Sequence, residues 1–214
     1  MTRINILPLF APATFFLYPV RSAAAQMARL NGGHVLVVGN NNERRLELAL
    51  KLGAEEVALA GREDPVEAVM RFTDGRGADV VLMCAAPSGK GTMGQCLDMV
   101  RKNGRVVVVG LAELEFPFLQ WHRKEAELLI SRAYGPGRHD PEYEEKGIDY
   151  PYNFVRWTLN RNMQEFVKLV AQKKLDVRSL ISHTFAVDEA SAAFDQVVNR
   201  HDEITSVLLE YETK

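Results

Sequence analysis

Residues 33–53 read GHVLVVGNNNERRLELALKLG, and two different periodicities meet within them. Residues 34–38 form a short, continuous apolar run rich in β-branched side chains, which predicts a strand buried on both faces. Over residues 43–52 the leucines recur at helical spacing, and Gly53 stands where a helix C-cap is expected. The stretch therefore predicts a buried strand that leads directly into a helix.

The same alternation of strand and helix continues through residue 132. Further strands are predicted at residues 56–60, 78–84, 105–110 and 126–132, and further helices at 64–72, 91–101 and 118–124. Because the connections are short, we expect parallel strands joined by right-handed crossovers, with helices on both faces of the sheet. The predicted fold class is α/β, a Rossmann-like doubly wound parallel sheet.

After residue 133 the regular alternation of predicted strands and helices ends. A loop rich in glycine, proline and charge runs to Pro151, and a long amphipathic helix is predicted over residues 153–173. Phe154, Trp157 and Phe166 belong to the expected inner face of that helix. A strand at 181–185, a helix at 188–198 and a strand at 205–211 complete the predicted elements.

Composition excludes several classes of partner. The 214 residues are 47% hydrophobic and 25% charged, with a formal net charge of -2. This is the balance of an ordinary globular protein, and it gives no electrostatic reason to expect nucleic acid or a membrane surface as partner. Cys84 and Cys96 match no zinc or disulfide spacing, so we interpret both as buried thiols of a reducing, cytoplasmic compartment.

The N-terminus allows two interpretations. Residues 4–20 are almost uncharged and run into small residues at 22–25, which is typical of a signal peptide spanning residues 1–25. Alternatively, residues 12–32 are what remains of a strand, a turn and a helix. Cleavage after Ala25 would cut the amphipathic stretch 23–30, which the next strand needs as a packing partner. We therefore favour the second interpretation.

Several segments, in the same order along the chain, resemble medium-chain, zinc-type alcohol dehydrogenases. They are KLGA at residues 51–54, GRGADVV at 75–81, NGRVVVVG at 103–110, LISHTF at 180–185 and the alanine-rich stretch 190–194. The resemblance implies the C-terminal, nucleotide-binding half of an oxidoreductase that uses NAD(P) and a small-molecule alcohol, polyol or sugar. Residues 134–150 further resemble a subgroup of bi-domain oxidoreductases of polysaccharide pathways.

The resemblance also implies a domain division. Residues 1–177 correspond to the dinucleotide-binding domain, with residues 1–21 atypical, and residues 178–214 to a segment that returns to the catalytic domain. The half of the family that carries the zinc ligands and the proton relay has no counterpart here. We therefore expect a truncated form whose sheet is incomplete at the N-terminus. We expect no catalytic or metal-binding residue in it, and weak or no activity alone.

The glycine motif of the family is replaced by residues with side chains. Alignment places Phe16, Tyr18 and Arg21 where three glycines normally allow a tight turn, approach of the pyrophosphate and close helix packing. One interpretation is a rewired phosphate site in which Val20 and Arg21 contact the cofactor. The other is that residues 1–21 are not ancestral and that dinucleotide affinity is weak or lost.

The end of the strand at residues 34–38 bears on cofactor choice. An acidic residue there would bind the ribose 2′-hydroxyl, but the chain has Gly39 and Asn40 and no acid before Glu43. Arg44 or Arg45 could instead pair with a 2′-phosphate, which favours NADP over NAD. The alternative is that both arginines are simply solvated on the first turn of a helix.

The remaining candidate cofactor contacts follow from the ends of later strands. By resemblance they are Ala85, Ala86, Gly110, Leu111, Arg132 and Tyr134. Each of them also has a plain role as a strand terminus. The resemblance further implies a homodimer formed through the edge strand from Glu127 to Arg132. This leaves a second hypothesis open, a non-catalytic dimerisation or interaction module derived from the family.

Overall fold

The computed structural model describes residues 3–7, 17–39, 42–84, 91–110, 114–131, 133–200 and 204–211, with the backbone alone for 3–7, 17 and 18. The strands are β1 (Arg3–Leu7), β2 (His34–Gly39), β3 (Glu56–Leu59), β4 (Ala78–Met83), β5 (Val100–Val109), β6 (Glu127–Ser131), β7 (His183–Ala186) and β8 (Val207–Glu210). The helices are α1 (Leu17–Leu30), α2 (Glu43–Lys51), α3 (Pro65–Phe72), α4 (Thr92–Met99), α5 (Phe118–Lys124), α6 (Pro141–Glu144), α7 (Leu159–Ala171) and α8 (Ala190–Asn199), with single 3₁₀ turns at Arg178–Leu180 and Val187–Glu189. Within these ranges no helix combines the length and apolar character that crossing a bilayer demands.

Six strands form one parallel sheet in the order β3-β2-β1-β4-β5-β6. This order confirms the predicted doubly wound α/β fold. The chain winds outward in one direction through β2 and β3, and in the other through β4, β5 and β6. Strand order therefore reverses between β1 and β4, and ligands of such sheets bind beyond the carboxyl ends of the strands at that point.

The sheet includes the central strand that we expected to be missing at the N-terminus. Arg3–Leu7 pairs on one side with β2, where Ile4 lies opposite Val35, and on the other with β4, where Ile4 lies opposite Val80. Most of β1 lies within the almost uncharged stretch 4–20, so hydrophobic pattern does not separate it from the residues that follow. The expectation of an incomplete sheet is corrected accordingly.

The core lies on both faces of this sheet, as the continuous apolar run of β2 predicts. Leu36 and Val38 pack against α3 and α4, whereas Val35 and Val37 pack against α1 and α2. Successive side chains of a strand point to opposite faces, so one five-residue run serves two hydrophobic clusters. The result is a three-layer arrangement that fixes where each helix begins relative to the edge of the sheet.

Helix α7 differs from its prediction. It begins at Leu159, not near residue 153, because residues 151–155 form a turn in which the amides of Phe154 and Val155 both bond to the Pro151 carbonyl. Phe154 is 87% exposed, and Trp157 is also exposed, so neither belongs to an inner face. Within the described part of the chain, no residue of α7 is fully buried.

The C-terminal elements form a small unit of their own. Strands β7 and β8 pair in parallel as a separate two-stranded sheet, with α8 as the crossover between them. Two side chains of the large domain bond to backbone atoms in this region. Gln26 exchanges two hydrogen bonds with the backbone of Asp176, at 3.1 and 2.7 Å, and Arg45 donates to the carbonyl of Ile204 at 3.2 Å.

Candidate functional site

The carboxyl edge of the six-stranded sheet brings the described candidate residues to one side of the molecule. Parallel strands all end at the same edge, and the helix that follows each strand starts there. Gly39 ends β2, Gly110 follows β5, and Tyr134 follows β6. Arg21 enters from the first turns of α1. Asn40, Ala85, Ala86, Leu111 and Arg132 lie outside the described residues.

Arg21 occupies the space between α1 and the end of β4. Its side chain is buried, with the residue only 8% exposed, and its Nε donates to the carbonyl oxygen of Cys84 at 2.8 Å. The third glycine of a dinucleotide-binding turn lets the helix approach the strand closely. Here the arginine that the sequence alignment sets against this glycine donates a hydrogen bond to the strand end. Its neighbour Val20 is partly exposed on the same turn.

Cys84 sits beneath this arginine as a neutral, inert thiol. Burial raises its pKa to about 12, and the positive charge of Arg21 opposes that rise without cancelling it. A thiol with so high a pKa is neither a nucleophile nor a metal ligand at neutral pH. The polar groups at this position are therefore those of Arg21 and of the backbone.

Gly39 allows α2 to pack close to the end of β2. A Cβ atom added at Gly39 would lie 2.5 Å from the side chain of Leu46, so a larger residue would force that side chain to move. Asn42 caps α2, and its side-chain oxygen accepts from the amide of Arg45 at 3.1 Å. These two contacts place the first turn of α2 at the carboxyl edge.

Both arginines of that turn line the same groove, but a backbone carbonyl engages one of them. Arg45 is held by the Ile204 carbonyl. Arg44 is exposed and lines a groove of about 300 Å³, shared with Asn42 and Lys51 on the same helix and with Ser182 across from it. Neither Arg44 nor Lys51 forms an ion pair with any residue that the structure describes. Lys51 was missed in the sequence, although its spacing of seven from Arg44 puts both on one helical face.

Gly110 and Tyr134 mark the turns that leave β5 and β6. Both adopt positive φ, 96° for Gly110 and 70° for Tyr134, so the chain bends sharply at each strand end. The Tyr134 carbonyl accepts from the side-chain amide of Asn162 at 3.1 Å, and the guanidinium of Arg138 lies 5.6 Å from the centre of its ring. The exposed Tyr134 ring is thus held in place beside the sheet edge.

A second polar groove lies after Tyr134 in the chain. We name it the insert groove: it measures about 530 Å³, and its polar lining comes from Arg138, Tyr143, Glu144, Asp149 and Asn160. Residues 143–146 look like a solvated charge run, because the partners of these charges lie at irregular separations. Only the folded chain pairs Arg138 with Glu144 and Asp149 with Arg161.

Comparison with known proteins places these features in a family. Residues 19–148 match the zinc-binding dehydrogenase family. Sorbitol dehydrogenase from Halalkalibacterium halodurans is 29% identical over 197 residues, which cover 89% of this chain and 49% of that enzyme. Alcohol dehydrogenase from Cupriavidus necator is 24% identical over 199 residues, or 92% of this chain and 48% of the relative. The chain thus spans about half the length of these relatives.

Among solved structures, alcohol dehydrogenase TADH from Thermus sp. ATN1 superimposes with a TM-score of 0.71 at 24% identity, covering 97% of this chain and 51% of that one. The likeness supports the fold, including the C-terminal unit. The family match spans more than half of the chain and includes α1, the sheet from β2 to β6, and part of the segment after β6. The chain belongs to the zinc-binding dehydrogenase family of medium-chain dehydrogenases.

Proposed function

We propose that this chain is the dinucleotide-binding part of an NAD(P)-dependent dehydrogenase that acts on an alcohol, polyol or sugar. The observation that carries the proposal is the sheet order β3-β2-β1-β4-β5-β6, with α1 starting at the edge where the order reverses. This is the place where doubly wound folds hold a pyrophosphate against a helix N-terminus. The names of the relatives support the alcohol or polyol class.

The residues at this edge fit a dinucleotide in part. The N-terminal turn of α1 would hold the pyrophosphate, Gly39 and Arg44 would border the adenosine ribose, and Gly110 and Tyr134 would border the nicotinamide. A bound dinucleotide would supply the hydride acceptor or donor. Arg21 fills the room that the third glycine leaves in the family motif, so we propose that binding is weak.

The division of the chain follows the same proposal. Residues 1–177 would form the dinucleotide-binding domain, and residues 178–214 the segment that packs with a catalytic domain. The separate β7–β8 sheet supports this boundary. Among the described residues, no three His, Cys, Asp or Glu side chains gather where they could hold a metal ion, and we derive no step through zinc. We propose little turnover for the chain by itself.

Fluorescence titration of the full chain with NADPH and with NADH tests the proposal. We expect saturable, weak binding of both, and tighter binding after Arg21→Gly because the substitution reopens the pyrophosphate space. Arg21→Gln, which keeps most of the bulk, should not tighten binding. No saturable signal at millimolar concentrations in the wild type and in Arg21→Gly would contradict dinucleotide binding. Weaker binding in Arg21→Gly would show instead that Arg21 is a ligand.

The choice between the two cofactors rests on Arg44 in this proposal. Its guanidinium is exposed beside Asn42 at the end of β2, whereas that of Arg45 is engaged by Ile204. Arg44→Ala should weaken NADPH binding by about tenfold, because a charge-assisted hydrogen bond contributes ~1.5 kcal/mol or more, and should leave NADH unchanged. Arg76→Ala, on an exposed turn before β4, is the matched control. Equal loss of both cofactors would contradict the assignment.

We propose a homodimer as the second candidate role, through strand β6. This strand forms one edge of the sheet, and Ile130 near its end is 63% exposed. An unpaired edge with apolar side chains is suited to pairing with a second copy. Light scattering should give twice the mass of the chain, and Ile130→Lys should give the monomer mass. A wild-type monomer at all concentrations would exclude this role.

A further inference from the structure

The insert groove lies on the same side of the molecule as the carboxyl edge of the sheet. The segment that leaves β6 is fixed to the start of α7 by two hydrogen bonds. The Leu159 amide donates to the Pro136 carbonyl at 2.8 Å, and the Asn162 side chain donates to the Tyr134 carbonyl at 3.1 Å. The groove therefore opens close to Tyr134, which borders the nicotinamide in the proposed function.

Hydrogen bonds hold the walls of the insert groove before any ligand arrives. The Tyr143 hydroxyl accepts from the Asn160 amide at 2.9 Å and lies 3.2 Å from the hydroxyl of Thr158, which is completely buried. Arg161 donates to the carboxylate of Asp149 at 2.6 Å and to the Tyr150 carbonyl at 2.8 Å. Walls fixed in this way reduce the entropy that a ligand must remove on binding.

The charges of the groove are compensated within the protein. Arg138 pairs with Glu144 at 2.7 Å and holds the pKa of that carboxyl below its usual value, and Asp149 pairs with Arg161. No surplus charge remains there to attract an ion. Each carboxylate still has lone pairs and each guanidinium has further N–H groups, which suit the hydroxyls of a ligand.

We propose that the insert groove binds a neutral polyhydroxylated molecule of the size of a sugar alcohol or monosaccharide. Glu144 and Asp149 would accept hydrogen bonds from its hydroxyls, and Arg138 and the side-chain amide of Asn160 would donate to them. A volume of about 530 Å³ lies within the range of small-molecule pockets. That this molecule is the substrate rests on the proposed function; that it binds does not.

Amide NMR spectra of the full chain, titrated with sorbitol, test this inference. We expect saturable shifts concentrated at residues 138–149 and 159–162. Glu144→Gln and Asn160→Ala should each weaken sorbitol affinity by about tenfold, because the first removes the charge from an acceptor and the second removes a side-chain amide from the lining. Asn160→Ala keeps the backbone amide that bonds Tyr143, so the groove should keep its shape. Glu165→Gln, on α7 outside the lining, should bind sorbitol like the wild type.

Two comparison ligands test whether binding requires several hydroxyls on a neutral molecule. Cyclohexanol has one hydroxyl and L-threonine is a zwitterion, and neither should produce the saturable shifts of sorbitol. Absent shifts with sorbitol, equal shifts with cyclohexanol, or saturation by threonine alone would overturn the inference. Dinucleotide binding is measured separately by NADPH fluorescence in the same protein. Absence of sorbitol binding would therefore not contradict the proposed function. Absence of NADPH binding would likewise not contradict sorbitol binding at the insert groove.

Discussion

The six-stranded domain and the region after residue 133 use the same kinds of amphipathic segment with opposite results. In the domain, β2 buries all four of its central residues, and α3 and α4 bury their apolar faces against the sheet. After residue 133, the buried hydrophobic residues among those described are Leu175, Leu180, Ala193 and Ile204. Met163, Phe166 and Val167 follow helical spacing along α7 and are exposed.

The difference shows that an amphipathic pattern specifies a face but not what covers it. The large domain supplies its own cover, since helices lie on both faces of its sheet. Two polar links lie between the regions: Gln26 bonds to Asp176, shortly before the C-terminal unit, and Arg45 bonds to Ile204 within it. Regions with few buried apolar contacts open with a lower free energy than the global unfolding reaction. The two regions should therefore respond differently to matched substitutions.

The largest contrast is expected between two leucines that both lie in strands. Leu36 in β2 is completely buried, whereas Leu208 in β8 is 42% exposed. Leu36→Ala should lower the free energy of unfolding by about 2–5 kcal/mol, because it removes buried contacts and leaves a cavity. Leu208→Ala should cost about 1 kcal/mol or less. Urea unfolding of both variants measures the difference, and equal losses would break the comparison.

Gln26→Ala tests the link between the regions. The side chain is buried and exchanges two hydrogen bonds with Asp176, so its loss leaves a backbone amide and a carbonyl without those partners and should cost about 1–3 kcal/mol. Hydrogen exchange should quicken at residues 176–186 while β2 and β4 stay protected. Asn31→Ala, which removes an amide bonded only within the end of α1, is the control. Uniform loss of protection would mean that the regions unfold together.

Arg45→Ala tests the same difference between the two regions, and it should lower the free energy of unfolding by less. One hydrogen bond of 3.2 Å joins Arg45 to Ile204, so we expect a loss of about 0.5–1.5 kcal/mol, with faster exchange at residues 204–210. Arg44→Ala, one residue away and exposed, should leave that exchange unchanged. The idea fails if both substitutions change the protection of β8 equally.

Alkaline pH should weaken the large domain through its two buried thiols, and the effect is small near pH 9. Burial raises the pKa of Cys84 and of Cys96 from 9.0 to about 12. A raised pKa contributes stability that is complete below the pKa of the unfolded chain and is lost as pH rises from there toward the folded value. Near pH 9 each thiol should lower the free energy of unfolding by about 0.4 kcal/mol. A Cys84→Ala, Cys96→Ala variant should lack this slope, and an unchanged slope would contradict it.

The sequence predicts elements well wherever local rules decide the structure. Asp64 and Pro65 were expected to begin a helix, and the Asp64 carboxylate does accept from the Val66 amide at 2.7 Å. The start of α7 was placed too early because apolar residues continue through the turn after Pro151 and imitate helical spacing. Strand β1 was not separable from its apolar surroundings for the same reason. The hydrophobic pattern alone does not show where along the chain an apolar face ceases to be covered by other elements.

The candidate site is less predictable because its contacts cross the chain. Arg44 and Arg45 are neighbours, and they are distinguished only by a carbonyl 159 residues away. The Arg21 side chain finds its acceptor 63 residues later, at the end of β4. Contacts between residues so far apart in the sequence produce no periodic pattern from which they could be predicted. By contrast, Gly39, Gly110 and Tyr134 follow from knowing where strands end, and the structure places all three at the carboxyl edge.

The parallel pairing of β7 with β8 has a consequence for the order of folding. His183 lies opposite Val207, so the two strands cannot meet until the intervening 23 residues have been made and α8 has formed between them. Parallel pairs of this kind close a large loop before they gain contacts, and their formation is intrinsically slow. During synthesis the chain emerges from its N-terminus, so the six-stranded sheet can assemble while β8 is still on the ribosome. The C-terminal unit should thus acquire its structure after the six-stranded sheet, and in a nascent molecule β7 would expose an unpaired edge until β8 is made.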